Sequence, residues 1–296
     1  MALFAYLAIT SVFALMMLFV TAAPGAADES GNGPKVVVSI FPLHTLAAEV
    51  MEGVGEPELL LDASVSPHNF SLKPSQAHLL QAADLIIWVG KSLEFPITRS
   101  VANLPEERSL ALTTGTDEHG HEDEYDNVHI WLDPRAAKAI VAAIADRLRT
   151  LDPPHAAQYD ENVMRISVRL DALESELAQQ LHPLRGIPYI VFHDAYGPFE
   201  RRFGLNNIGM VTKHAEDSPS AGYIRHMREI VAEQKVSCAF REPQFEPHAI
   251  TIIAEGSDLS IGELDPLGVG LTPGVGGYFL LMRNLAHGFI DCLSRP

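Results

Sequence analysis

Strand-like and helix-like stretches alternate along this chain of 296 residues, and one helical pattern, longer than any other, interrupts them. From about His155 to His182, Met164, Ile166, Leu170, Leu173, Leu177 and Leu181 recur at three- and four-residue steps among charges. That spacing writes a single apolar stripe along a helix. At 1.5 Å rise per residue the helix is roughly 40 Å long. Pro153-Pro154 breaks the chain just before it. A helix of that length between two β/α halves predicts a connecting spine rather than an element of one core, and hence two lobes.

The halves read alike in kind. Before the spine, the β-branched run Val36 to Ile40 suits a buried parallel strand. Leu43 to Met51 reads as a helix, Glu58 to Leu61 as a strand, Pro74 to Ala82 as a helix opening on proline, and Asp84 to Gly90 as a strand. Ala136 to Leu151 reads as a helix after the start signal Asp133-Pro134. Beyond the spine, strands are expected at Tyr189 to Phe192, Asn207 to Val211, Ser237 to Phe240 and Leu259 to Glu263. Helices are expected at Ser220 to Gln234, His248 to Ala254 and Gly277 to Leu293. The class is α/β: two β/α lobes with mostly parallel sheets, joined by a long rigid helix. The expected divisions are 28–152, 153–184 and 185–296, and no internal repeat is strong enough to argue from.

Residues 1–27 carry no charged side chain; Leu3 to Val20 is almost wholly apolar, and small residues follow to Ala27. This reads as a signal peptide cut after Ala27, exporting the chain. No Lys or Arg precedes the apolar run, which is long enough to span a bilayer, so an uncleaved anchor is the rival. In an exported protein the even pair Cys238 and Cys292 reads as a disulfide, with two buried free thiols as the alternative. The formal charge of −17 argues against nucleic acid as a partner, because phosphate binding needs a basic face. It also keeps a protein soluble, and a monomer is expected.

Metal-capable side chains stand in four short segments, each at an expected strand exit. They are His68 in Ser66-Pro67-His68-Asn69-Phe70, His129 before Ile130-Trp131-Leu132, His193 in Val191-Phe192-His193-Asp194, and Asp265 in Leu264-Asp265-Pro266. Three imidazoles and a carboxylate make a closed four-coordinate zinc set, and in parallel sheets ligands gather beyond the carboxyl ends of strands. Alone, each has a plainer reading. His68 suits a surface loop, His129 the border of a buried strand, and Asp265-Pro266 a helix cap with proline at the first position. Asp133 and Asp194, from adjacency, are candidates to orient an imidazole.

The shared context of these segments resembles a known family. Pro67 to Ser75, His129 to Pro134, Val191 to Tyr196, Glu242-Pro243-Gln244-Phe245 and Leu264 to Gly268 are similar, in order, to the signatures of periplasmic zinc-binding proteins. Those are the capture subunits of bacterial metal-uptake ABC transporters, of the cluster A-I type, and the likeness runs over about residues 35–293. The resemblance implies metal held between two lobes by His68, His129, His193 and Asp265, then handed to a membrane permease. It also implies a Cys238–Cys292 disulfide. Manganese-type relatives carry Glu where this chain has His193, and three imidazoles favour zinc over manganese. Pro67 stands where some relatives carry a Glu that serves as a ligand, so Asp265 or water is left to complete the shell. The His-rich loop of many relatives is short here, Asp117 to Asp126, with His119 and His121 as an auxiliary zinc site or simply a solvated acidic loop.

High-affinity capture of Zn2+ for uptake is therefore the leading expectation, with no enzymatic activity. A zinc-dependent hydrolase is the second reading: three His with an open position is also a catalytic set. It lacks a His-Glu-x-x-His helix, and its best base candidate, Glu242, has no evident partner. A metal-binding surface adhesin or zinc chaperone is the third.

Overall fold

The computed structural model describes residues 33–113, 127–213 and 215–295. The signal-peptide segment and His119 and His121 lie outside those residues. The first lobe runs β1 (Val36–Val38), α1 (Phe41–Val50), β2 (Glu58–Leu59), α2 (Pro74–Ala82), β3 (Leu85–Trp88), α3 (Thr98–Val101), β4 (Ser109–Ala111) and α4 (Pro134–Leu151). The long helix is α5 (Ala156–Leu181). The second lobe runs β5 (Pro188–His193), α6 (Gly197–Phe203), β6 (Asn206–Thr212), α7 (Ala221–Glu233), β7 (Cys238–Arg241), α8 (His248–Ala254), β8 (Ser260–Glu263) and α9 (Gly277–Leu293).

Every strand pairing is parallel. The orders are β2-β1-β3-β4 and β6-β5-β7-β8, the same topology twice. The repeat is therefore architectural, although the sequence shows none. In such a sheet the order reverses between the two central strands, and ligands collect there. In the second lobe that place lies between β5 and β7.

The spine is more than a connector. Its 26 residues span about 39 Å. Ile166, Leu170, Leu173, Leu177 and Leu181 are fully buried and belong to one core cluster that also holds β1, β3, α4, β5 and α9 side chains. Burying each of these Leu side chains contributes about 1.5–3 kcal/mol. The expected separation of spine from core fails because a stripe with apolar neighbours on both sides has no solvent-facing alternative. A second, smaller cluster covers the other face of the second sheet, around Ile190, Phe192, Ala239 and Ile253.

α9 packs on α1 and α5 as well as on β8, so the C-terminal helix crosses back to the first lobe. A buried ion cluster marks that crossing. Glu49, with no exposed surface, accepts from Arg169 at 2.7 Å, Arg165 at 3.1 Å and the Gly276 backbone N–H at 2.9 Å. Cys238 on β7 is disulfide-bonded to Cys292 on α9, with Cα atoms 6.1 Å apart. Among the described residues no helix is long and apolar enough to cross a membrane.

Three elements were not legible beforehand. α3 is a single four-residue turn of helix, β4 is three partly or fully exposed residues at a sheet edge, and α6 is a seven-residue helix opening on Gly197-Pro198 and closed by Gly204 at φ 72°. A further difference touches the site: Ile130–Leu132 is a single 3-10 turn, not a strand. The residues are apolar because Trp131 is fully buried, not because they join a sheet.

Candidate metal centre

His193 is the last residue of β5, so the sheet fixes its direction. His129 stands at the head of the 3-10 turn, and Asp133 caps α4 by accepting from the Arg135 N–H at 2.9 Å. His68 comes from the loop after β2, its backbone N–H 3.3 Å from Ser66 Oγ. Of the expected strand exits, only that of His193 is one in the strict sense.

The structure nevertheless brings the three imidazoles together. Nε2 of His129 lies 3.3 Å from Nε2 of His68 and 3.3 Å from Nε2 of His193. One potential ligand atom from each residue lies within 4.8 Å of the others. His129 and His193 are buried and His68 is half-buried.

The protons on two of these rings are placed by their neighbours. His193 Nδ1 lies 2.6 Å from Oε1 of the buried Glu242, which can only receive a proton there as a carboxylate. His129 Nδ1 lies 2.7 Å from Asn127 Oδ1. The Asn127 amide cannot be reversed, because its nitrogen donates to the Asp194 carbonyl at 2.8 Å and the Asp194 carboxylate at 3.1 Å. Both Nδ1 atoms therefore carry N–H, and both Nε2 atoms present lone pairs. Lone pairs 3.3 Å apart repel; a cation between them turns the repulsion into coordination. Burial, and then the proximity of His193 and His68, holds the His129 pKa well below the usual imidazole value. It stays neutral and ready for a metal.

Asp194 thus orients His129 through Asn127 rather than orienting its own neighbour. Asp133 pairs with Arg202 at 2.7 Å and caps α4, and takes no part in the cluster.

Asp265, expected as the fourth ligand, is not brought into the cluster. One of its oxygens accepts from the backbone N–H groups of Leu267 at 3.0 Å and Gly268 at 2.9 Å, and the other from that of Val269. The Gln244 amide donates to it at 2.9 Å. These bonds close the Pro266–Val269 turn, and Pro266 and Leu267 of that turn line the metal pocket. An acid two residues after a parallel strand is placed well for either task, and only the turn decides between them.

Glu242, read from the sequence only as the base of the rival hydrolase, and Gln244, given no role of its own, both line the pocket. The signal that finds them is topological: they follow β7, the strand beside β5 at the reversal of strand order.

The lobes are already fastened around this pocket. Trp131 Nε1–H donates to the Pro266 carbonyl at 2.9 Å, and the Tyr278 hydroxyl to the Trp131 carbonyl at 2.8 Å. Gln244 donates to the Ala63 carbonyl at 3.1 Å.

Two parallel β/α lobes on a shared spine, with a buried imidazole cluster between them, define a two-lobed metal-binding protein. The family model described as ZnuA, zinc-uptake complex component A, periplasmic, matches residues 36–292, and the chain belongs to that family. It is 35% identical over 313 residues to the high-affinity zinc uptake system protein ZnuA of Brucella suis biovar 1 (strain 1330), covering 90% of this chain and 93% of that one. It is 35% identical over 291 residues to the protein of the same description from Yersinia pestis, covering 88% and 91%. The periplasmic zinc binding protein TroA from Treponema pallidum shares the fold, with a TM-score of 0.78 at 21% identity over 89% of this chain and all of that one.

Proposed function

We propose that this protein captures zinc in the periplasm with high affinity and delivers it to the permease of an ABC transporter. The observation that carries the reading is the set of convergent Nε2 atoms, with the tautomers of His129 and His193 fixed by Asn127 and Glu242. His68, His129 and His193 are the zinc ligands. Export by the N-terminal segment and action as a monomer complete the proposal.

The affinity follows from preorganisation. The imidazoles already converge, two are held by buried partners, and Trp131, Tyr278 and Gln244 already join the lobes. Little motion remains to be arrested on binding. The hydrolase reading loses its base, because Glu242 is engaged on His193.

The experiment is metal competition against a chromophoric chelator, with the chain beginning at Asp28. One tightly held zinc per chain that manganese does not displace is the expected result. Equal competition by manganese would overturn the zinc assignment, and scattering profiles that compact strongly on zinc binding would overturn the preformed pocket.

A further inference from the structure

Phe95, 73% exposed, stands out further from the protein than any other large apolar side chain among the described residues. A lone exposed apolar residue needs no explanation; Phe95 is set apart by the stiffness of its seat. Glu94 before it and Ile97 after it have no exposed surface. Glu94 Oε2 accepts from the Gly90 N–H at 3.0 Å, and the Glu94 N–H donates to the Gly90 carbonyl at 2.9 Å. The Ile97 N–H donates to the Glu94 carbonyl at 3.0 Å, and Pro96 narrows the backbone freedom of Phe95. Burial pushes the Glu94 carboxyl up to about 7, so the turn is braced by a group that burial disfavours.

This turn follows β3. β1 pairs in parallel with both β2 and β3, so the chain leaves those two strands on the same edge of the sheet, one on each side of β1. Two strand spacings, roughly 10 Å, separate the exits. The β2 exit leads to Val65 and then to Ser66, Pro67 and His68 of the metal pocket. Val65 is 38% exposed, and so is Val269, two residues beyond the pocket's Leu267 in the second lobe. Apolar surface from both lobes thus lies on the edge that carries the metal. Lys91 and Arg99 flank Phe95; both are exposed, and neither enters an ion pair among the described residues. Arg135, Lys138, Arg165 and Arg169, on and beside the spine, are all paired.

We propose that Phe95, with Lys91 and Arg99 beside it, is the first lobe's docking anchor for the permease, entering an apolar socket ringed by carboxylates on that protein's periplasmic face. This rests on the delivery reading given above. The edge with Val65 and Val269 faces the same partner. Aromatic and arginine side chains are enriched in protein interfaces, and a side chain already held in place loses little freedom when a partner covers it. Unpaired cations on a chain of charge −17 call for acids opposite, which also steer the approach. Lipid is the poorer partner. Holding a protein on a bilayer takes a broad apolar face, and anionic headgroups repel the net charge.

The test places the permease and ATPase of the same uptake system in nanodiscs and follows ATP hydrolysis against the concentration of the zinc-loaded protein. Phe95→Ser should raise the half-saturating concentration about tenfold or more, and Phe95→Leu by less. Lys91→Glu combined with Arg99→Glu should raise it as well and flatten its dependence on salt. Met164→Ser, at an exposed apolar position on α5, should change nothing. Chelator competition should give every variant the zinc affinity of the parent. A Phe95→Ser curve that overlays the parent's overturns the proposal, as does an equal shift in Met164→Ser. An unchanged salt dependence in the charge reversal overturns the carboxylate ring. Binding to empty nanodiscs that Phe95→Ser abolishes would make lipid the partner and overturn the proposal too. The two readings separate. Hydrolysis that the parent stimulates, with no shift in Phe95→Ser, defeats the anchor alone. A zinc-loaded parent that never stimulates hydrolysis defeats delivery, and the anchor with it.

Discussion

The two lobes share one strand order but deliver their imidazoles from different kinds of backbone. The second lobe places His193 on the end of a central strand and braces it with Glu242 from the neighbouring strand's exit. The first lobe places His68 in a loop, half exposed, and His129 on an isolated helical turn held through Asn127 by the other lobe's Asp194. The same fold used twice therefore gives one rigid arm and one that is assembled by contact. The lesson is that strand order fixes where ligands collect, while local backbone fixes how firmly each is held.

The largest test of that difference is a pair of ligand deletions. His193→Ala should lower zinc affinity by about a thousandfold or more, on the scale of one ligand's share of a zinc site. Besides the ligand, it leaves the Glu242 carboxylate buried without its donor. His68→Ala should cost clearly less, since water can take the place of a half-exposed ligand. Chelator competition on both variants reads the difference, and equal losses would erase the distinction between the arms.

The next effect concerns stability, and only the second lobe. The disulfide there closes a loop of 54 residues. Replacing both cysteines with serine should cost about 4 kcal/mol on the chain-entropy model, measured by denaturant unfolding. A loss below about 1 kcal/mol would mean that α9 packing on α1 and α5 already holds the ends together.

Each lobe also buries one glutamate whose pKa is pushed up to about 7: Glu94 in the first, by burial, and Glu200 in the second, by burial eased by Tyr189 and Asn207. A raised carboxyl pKa means that the folded state holds a proton the unfolded state has lost. Each group's contribution is full below about pH 4.5 and is lost as pH rises to about 7. For Glu94 the swing is about 3 kcal/mol. Glu94→Gln should flatten the stability profile between those limits, and a denaturation series across pH 4–8 that keeps its slope would contradict the assignment.

The smallest predicted effect compares the braces. Glu242→Gln and Asn127→Ala should each weaken zinc binding about 10- to 100-fold, with Glu242→Gln the larger because its hydrogen bond is charge-assisted. As pH falls below the ordinary imidazole range, zinc should also be released, since protons compete for the ligand nitrogens. The depressed pKa of His129 makes that release shallower than for three ordinary imidazoles. Asn127→Ala, by freeing the ring, should steepen it in a titration followed by chelator.

Much of this was legible from residues alone. α2 opens on its proline, α8 and α9 cover the expected residues, and the period of α5 holds along its length. The three histidines, each weak alone, stood out because the segments around them resemble, in order, the ligand loops of one family. What was not legible was the company they keep. Asp265 reads as a ligand and Asp194 as a neighbour of one, and nothing in their spacing says that the first accepts from the N–H groups of a turn while the second steers an amide across the lobes.

Periodicity and turn chemistry act over a few residues, and they sufficed for the class, the lobes, the spine and the candidate imidazoles. Which atoms meet is settled at longer range. His68 and His129 are 61 residues apart, and His193 and Glu242 are 49 apart. Contacts at that range follow from how two sheets and one buried helix share a core, a balance of packing that no local pattern records.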